Sequence, residues 1–397
     1  MKEFANRMNR IKGSAIRELF KLVADPSIIS LGGGNPAKES FPTEDIARIS
    51  HDLILEKGSV ILQYGGTEGY LPLRKAIIEK LLPDKNLKAD IDELLITAGS
   101  TQAMDLLSKV FINPGDTILV ESPTFLGAIQ TYNGYEANII PVPSDSEGIL
   151  VDELEKLIKE HNPKFVYCIP TFQNPTGKTL GISRRKRIAE LAAEYDVIVL
   201  EDDPYCDLRY EGEALPPIKT FDTSDNVIYL GSFSKTISPG LRIGFALGNS
   251  AIIRKMTIAK QGNDIHCSNI SQAIVAEYLN EDLLKPHLAV INSDYRIRRD
   301  AMLNAIKKSF PDTCKFIKPE GGLFVWCEFE DKAIKAENLF RRSVDEKQVA
   351  FVPGEYFFIN PDEHKNTFRL NFSAENTDRI ELGVTRLAEL INEVSGN

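Results

Sequence analysis

The chain has 397 residues, 43% of them hydrophobic and 26% charged, ordinary proportions for a folded protein with a large core. Its net charge is −10, which argues against binding a nucleic-acid backbone. No apolar run approaches the ~18–20 residues that span a bilayer, and the histidines and cysteines show neither metal-ligand nor CxxC spacing.

Met1 to Arg17 mixes Lys2, Arg7, Arg10 and Lys12 with polar residues and lacks the apolar stretch of a secretory signal, so a cytoplasmic protein is expected. From residue 94 onward, short apolar runs alternate with helix-period segments, the pattern of a mostly parallel sheet covered by helices. The first run is Leu94–Thr97, and Ala103, Leu106, Leu107 and Val110 then mark one face of a helix. Further strands are expected at Ile118–Val120, Phe165–Ile169, Val197–Leu200, Val227–Leu230 and Ile243–Leu247.

Chemically useful groups follow five of these runs: Gly99-Ser100-Thr101-Gln102, Pro123-Thr124-Phe125, Gln173-Asn174-Pro175, Asp202-Asp203-Pro204-Tyr205, and Ser232 to Lys235. Ligands of open α/β sheets bind outside the carboxyl ends of the strands, so all five segments are expected at one crevice. In Gly231-Ser232-Phe233-Ser234-Lys235-Thr236 a lysine sits between serines, with Arg242 seven residues on. That grouping suits a nucleophilic amine held beside a phosphate, as pyridoxal phosphate chemistry requires.

The C-terminal part reads as α+β. Arg296 to Ile306 is helical, Phe316 to Phe329 alternates like strands around Gly321-Gly322, Phe368–Phe372 is a strand, and Ile380 to Val394 is a closing helix. Residues 45–285 are expected to form a large domain, and residues 1–44 with 286–397 a smaller one. Two decoys fail. Pro175-Thr176-Gly177-Lys178-Thr179 lacks the glycine that a P-loop needs at Phe172, and no GxGxxG helix follows Gly32-Gly33-Gly34.

Gln173-Asn174-Pro175-Thr176-Gly177, Glu201-Asp202-Asp203-Pro204-Tyr205 and the lysine segment with Arg242 together resemble the fold-type I pyridoxal phosphate enzymes. Within them the chain looks most like class I/II aminotransferases of the 2-aminoadipate and kynurenine branch, from about Ile11 to the C-terminus. The resemblance implies that Lys235 carries the Schiff base and moves the Cα proton. Asp202 would keep the pyridine nitrogen protonated, while Tyr205 and Asn174 would bond the ring's phenolic oxygen. Phe125 would stack on the ring, where many relatives carry tyrosine. Ser100, Thr101, Gln102, Ser232, Ser234 and Arg242 would form the phosphate cup.

Arg369 matches the clamp for the substrate α-carboxylate. Tyr64 matches a residue lent to the phosphate across a homodimer interface, and reads equally as a turn aromatic. Ser14 and Arg17 match positions that help read the substrate side chain, with Gly34 beside the substrate; Arg17 reads equally as a helix-surface arginine. The implied reaction is ping-pong transfer of the amine of an L-amino acid, of 2-aminoadipate, aromatic or branched type, to a 2-oxo acid such as 2-oxoglutarate. A β-lyase, decarboxylase or racemase uses the same constellation and stays open. A cofactor-sensing regulator is not expected, because the enzyme-like region starts almost at residue 1.

Overall fold

Runs of four to six apolar residues become strands here because helices cover both sheet faces, leaving no exposed side to favour alternation. The computed structural model describes residues 3–11, 25 and 27–395. Its main sheet has seven strands: β1 (Leu94–Thr97), β2 (Thr117–Glu121), β3 (Asn138–Val142), β4 (Phe165–Cys168), β5 (Ile198–Asp202), β6 (Val227–Ser232) and β7 (Gly244–Leu247). Their order across the sheet is β1-β7-β6-β5-β4-β2-β3. All neighbouring pairs are parallel except those of β7, which runs antiparallel to both β1 and β6. Every residue of β1, β4, β5 and β7 is buried.

β3 was not anticipated from the sequence. Pro141 breaks its apolar run, but β3 is an edge strand, where a residue without an N–H is tolerated. Helices around the two sheets include α1 (Thr43–Ile61), α2 (Ser100–Phe111), α3 (Leu126–Gly134), α4 (Ser250–Gln261), α5 (Leu284–Ser309) and α6 (Thr377–Val394). α2 buries Ala103, Met104, Leu106 and Leu107, close to the expected face. No helix among the described residues is long and apolar enough to cross a membrane.

A second, antiparallel sheet has the order β8 (Cys314–Phe316), β9 (Phe324–Phe329), β11 (Thr367–Asn371), β10 (Val352–Pro353). Arg369 sits in its interior, opposite Trp326 on one side and Val352 on the other. Residue 285 falls in the first turn of α5, which packs along α6 beside this sheet. Ile29–Ser30 pairs with Val349–Ala350, tying the N-terminal stretch to the C-terminal part. Leu95 and Leu200 of the first sheet share one buried cluster with Phe340 and Leu370.

Gly244 opens β7 where three segments crowd together. A Cβ there would lie 2.9 Å from the Gly231 carbonyl oxygen and 2.9 Å from Gly99 Cα. Backbone cannot rotate away as a side chain can, so the register of β1, β7 and β6 at the site depends on this glycine. Gly244→Ala is expected to cost roughly 1–3 kcal/mol by overpacking, read by thermal and denaturant unfolding. Gly181→Ala, where a Cβ meets nothing within 4 Å, is expected to cost less than about 1 kcal/mol; equal costs would refute the crowding argument.

Candidate active site

The strand ends converge on a cavity of about 420 Å³, lined by groups from both sheets. Lys235 follows β6, and its Nζ donates to the Gly34 carbonyl at 2.7 Å. Burial, and then the charges of Arg369 and Arg242, pull this amine down to about 8. An appreciable neutral fraction therefore exists near neutral pH, as a nucleophilic or proton-accepting amine requires.

Asp202 ends β5 and is 2% exposed. Its Oδ2 accepts from the Tyr167 hydroxyl at 2.8 Å, while Oδ1 is buried without a partner. Burial pushes the carboxyl up to about 7, against the Tyr167 hydrogen bond and the nearby Ser100 hydroxyl, and Asp203 adds to the rise. A buried carboxylate oxygen left open beside a cavity suits a cationic N–H donor.

Arg369 reaches the cavity from the other sheet. Its Nη1 donates to Asn174 Oδ1 at 2.7 Å and its Nη2 to the Gly32 carbonyl at 2.6 Å. The guanidinium lies 4.1 Å from the Phe324 ring centre and 4.9 Å from that of Phe357, and Nε is buried without a partner. Burial draws it down to about 10. These partners are all neutral, so the cation is positioned but not neutralised, which favours an incoming carboxylate. Asn174 Nδ2 in turn donates to the Tyr205 hydroxyl at 3.4 Å.

The remaining expected residues divide. Phe125, Ser100, Thr101, Ser232, Ser234, Arg242 and Gly34 line the cavity with those above. Arg242 adopts a left-handed backbone, φ 54°, and donates to the Ala98 carbonyl at 2.7 Å. Gly99, at φ 81°, opens the turn into α2; a Cβ there would meet Arg242 Nη2 at 2.8 Å. Gln102 stands in the first turn of α2 beside Ser100 and Thr101, as expected. Its carboxamide turns away from the cup, because the buried Lys260 ammonium needs acceptors and takes Oε1 at 2.8 Å. Tyr64 is 78% exposed, packs edge-on to His266, and does not line this chain's cavity. Ser14 and Arg17 lie outside the described residues.

Sequence reasoning missed Tyr167, Phe324 and Phe357. Tyr167 left a trace: a tyrosine within a fully apolar strand must find its hydroxyl a partner. The two phenylalanines gave no comparable signal.

Residues 26–387 match the family described as aminotransferase class I and II. The chain is 45% identical to aromatic-amino-acid aminotransferase 1 of Thermococcus litoralis, over 99% of this chain and 94% of the relative. This chain belongs to the class I and II aminotransferases. The kynurenine aminotransferase of Pyrococcus horikoshii, solved with PMP, kynurenine and its product, superposes with a TM-score of 0.94 at 43% identity, covering 98% of this chain and 97% of that one. The alpha-aminoadipate aminotransferase of Thermus thermophilus, bound to N-(5'-phosphopyridoxyl)-L-leucine, gives 0.91 at 39% identity, covering 99% and 98%.

The aminotransferase uses pyridoxal 5'-phosphate. The residues present fit it: an amine at Lys235, an open carboxylate oxygen at Asp202, and hydroxyls with a guanidinium at Ser100, Thr101, Ser232, Ser234 and Arg242. When bound, the cofactor supplies an electrophilic carbon for amine exchange and a ring that draws electrons from the amino-acid Cα.

A carboxyl raised to about 7 in the folded state, against ~3.9 when unfolded, binds its proton more tightly when folded. Its contribution favours the folded apoprotein below about pH 4 and is lost as pH climbs toward 7. Asp202→Asn is therefore expected to stabilise the apoprotein at pH 8 by roughly 1–3 kcal/mol and flatten its stability between about pH 4 and 7. Glu121 and Glu201, raised to about 8 and about 7 by burial, keep part of the slope. Denaturant melts at several pH values decide this; an unchanged slope refutes it.

The rate at which apoprotein recaptures cofactor is expected to rise with pH around a midpoint near 8. Arg369→Met, by removing a neighbouring cation, is expected to move that midpoint upward.

Proposed function

We propose that this aminotransferase moves the amino group of an aromatic or 2-aminoadipate-type L-amino acid to a 2-oxo acid, with 2-oxoglutarate as acceptor, in two half-reactions at one site. The carrying observation is the cavity itself. Lys235, Arg242 and Arg369 are its cations among the described residues, and Phe125, Leu126, Ile169 and Phe357 supply apolar wall. Arg242 belongs to the phosphate cup and Arg369 to the substrate α-carboxylate, which leaves apolar surface for the side chain. Holding the carboxylate limits how the substrate can turn, so Lys235 Nζ meets one proton, that on Cα. With the cofactor bound, the amine would take up that proton and give it back to complete the transfer. Asp202 would stabilise a proton on the ring nitrogen, and Asn174 and Tyr205 would bond the phenolic oxygen.

Names of relatives support the substrate range: one is called an aromatic-amino-acid aminotransferase and another a 2-aminoadipate transaminase. The test follows visible absorption of the holoenzyme as single L-amino acids are added without acceptor. Phenylalanine, kynurenine and 2-aminoadipate are expected to convert the cofactor band faster than glutamate, and 2-oxoglutarate to restore it. A band that never converts with any of them sinks the reading. Arg17→Ala is expected to slow 2-aminoadipate and glutamate selectively if Arg17 reads a distal carboxylate.

We further propose that the working unit is a cytoplasmic homodimer in which Tyr64 serves the phosphate of the partner's site. Leu62 and Tyr64 are 67% and 78% exposed, and Leu55, Val60 and Ile265 add apolar surface, more than a lone surface segment needs. Tyr64→Ala and Lys235→Ala, each inactive or impaired alone, are expected on co-expression to recover about a quarter of wild-type activity, the statistical share of intact composite sites. No recovery would mean each site is built from one chain.

A further inference from the structure

Lys260 lies in α4 with a side chain 0% exposed, yet it does not line the cavity. Its ammonium donates to both oxygens of Asp264 at 2.8 Å and to Gln102 Oε1 at 2.8 Å, with Cys267 Sγ at 3.4 Å. Gln102 Nε2 closes the ring by donating to Asp264 Oδ2 at 2.8 Å. The same Gln102 Oε1 also accepts the Ala98 N–H at 2.8 Å. On its other side, the Ala98 carbonyl accepts from Arg242 Nη2 at 2.7 Å. Residue Ala98 thus joins the buried Lys260 ammonium to the arginine of the phosphate cup, and Gly99, Ser100 and Thr101 follow it directly.

A buried lysine paired with a partly exposed carboxylate is poor evidence for stability, since well-packed apolar residues often serve as well. Here the pair shares its acceptor with a backbone N–H that shapes a ligand site, and a packing role alone does not account for that. Arg242 also holds a left-handed backbone that costs free energy unless its surroundings maintain it. We propose that Lys260 is a positioning residue for the cofactor phosphate. Through Gln102 it holds the Ala98 segment, and with it Arg242 and the first turn of α2, in the arrangement that receives a phosphate dianion. The inference rests on Arg242, Ser100 and Thr101 being that cup.

The test compares two aldehydes on apoprotein prepared from the holoenzyme: pyridoxal phosphate, and pyridoxal, which keeps the ring and aldehyde but lacks the phosphate. Both can react with Lys235, so their difference isolates the cup. Lys260→Met is expected to raise the Kd for pyridoxal phosphate at least about tenfold and leave that for pyridoxal within about twofold, as loss of a charged hydrogen-bond link implies. Asp264→Asn is expected to shift the same ratio less, and it carries the test if Lys260→Met does not fold. Equal weakening of both aldehydes, or of neither, overturns the proposal. Arg242→Met separates the layers: if it loses selectivity for the phosphate and Lys260→Met does not, only the positioning role fails. If Arg242→Met also binds both aldehydes as before, the cup assignment fails with it.

Discussion

Three cations, Lys235, Arg242 and Arg369, face one cavity in which Asp202 offers an unpaired carboxylate oxygen. Charges brought this close repel and lose hydration, as the lowered Lys235 and Arg369 and the raised Asp202 record. The arrangement is costly to the folded chain and is offset by ligands with the complementary pattern: a phosphate, a carboxylate and a protonated ring nitrogen. Pyridoxal phosphate and an amino acid together carry all three. The site is therefore a stored electrostatic demand that binding relieves.

Holding that demand in place requires rigid support from both sheets. Asp202 ends a fully buried parallel strand, and Tyr167 on the neighbouring strand donates to it. Arg369 is held by backbone pairing on both sides and lies between the Phe324 and Phe357 rings. Asn174 connects the halves, accepting from Arg369 and donating to Tyr205. Because one buried cluster spans both sheets, the Asp202 side and the Arg369 side of the cavity are packed against each other.

Much of this was legible before any coordinates. The lysine segment, the Asp202–Tyr205 stretch and the Gln173–Gly177 turn carry their chemistry in consecutive residues, and the apolar runs before them mark the strands that bring them together. β3 escaped because a proline hides an edge strand, and the place of Gln102 in the first turn of α2 gave no sign of where its carboxamide goes. Its side chain answers Lys260, 158 positions away. Phe324 and Phe357 escaped for a related reason: an aromatic residue in an apolar stretch looks like core until the cation it covers is known.

The sequence by itself determined the fold class, a site suited to pyridoxal phosphate chemistry and most side chains at the cavity, because periodicity and local motifs are short-range properties. Tertiary structure alone decided which of those side chains point inward and which groups hold them. The bond from Arg369 to Asn174 spans 195 positions, and that from Lys235 to the Gly34 carbonyl spans 201. Contacts at such separations arise from how two sheets pack, and a linear pattern of residue types does not encode that pairing.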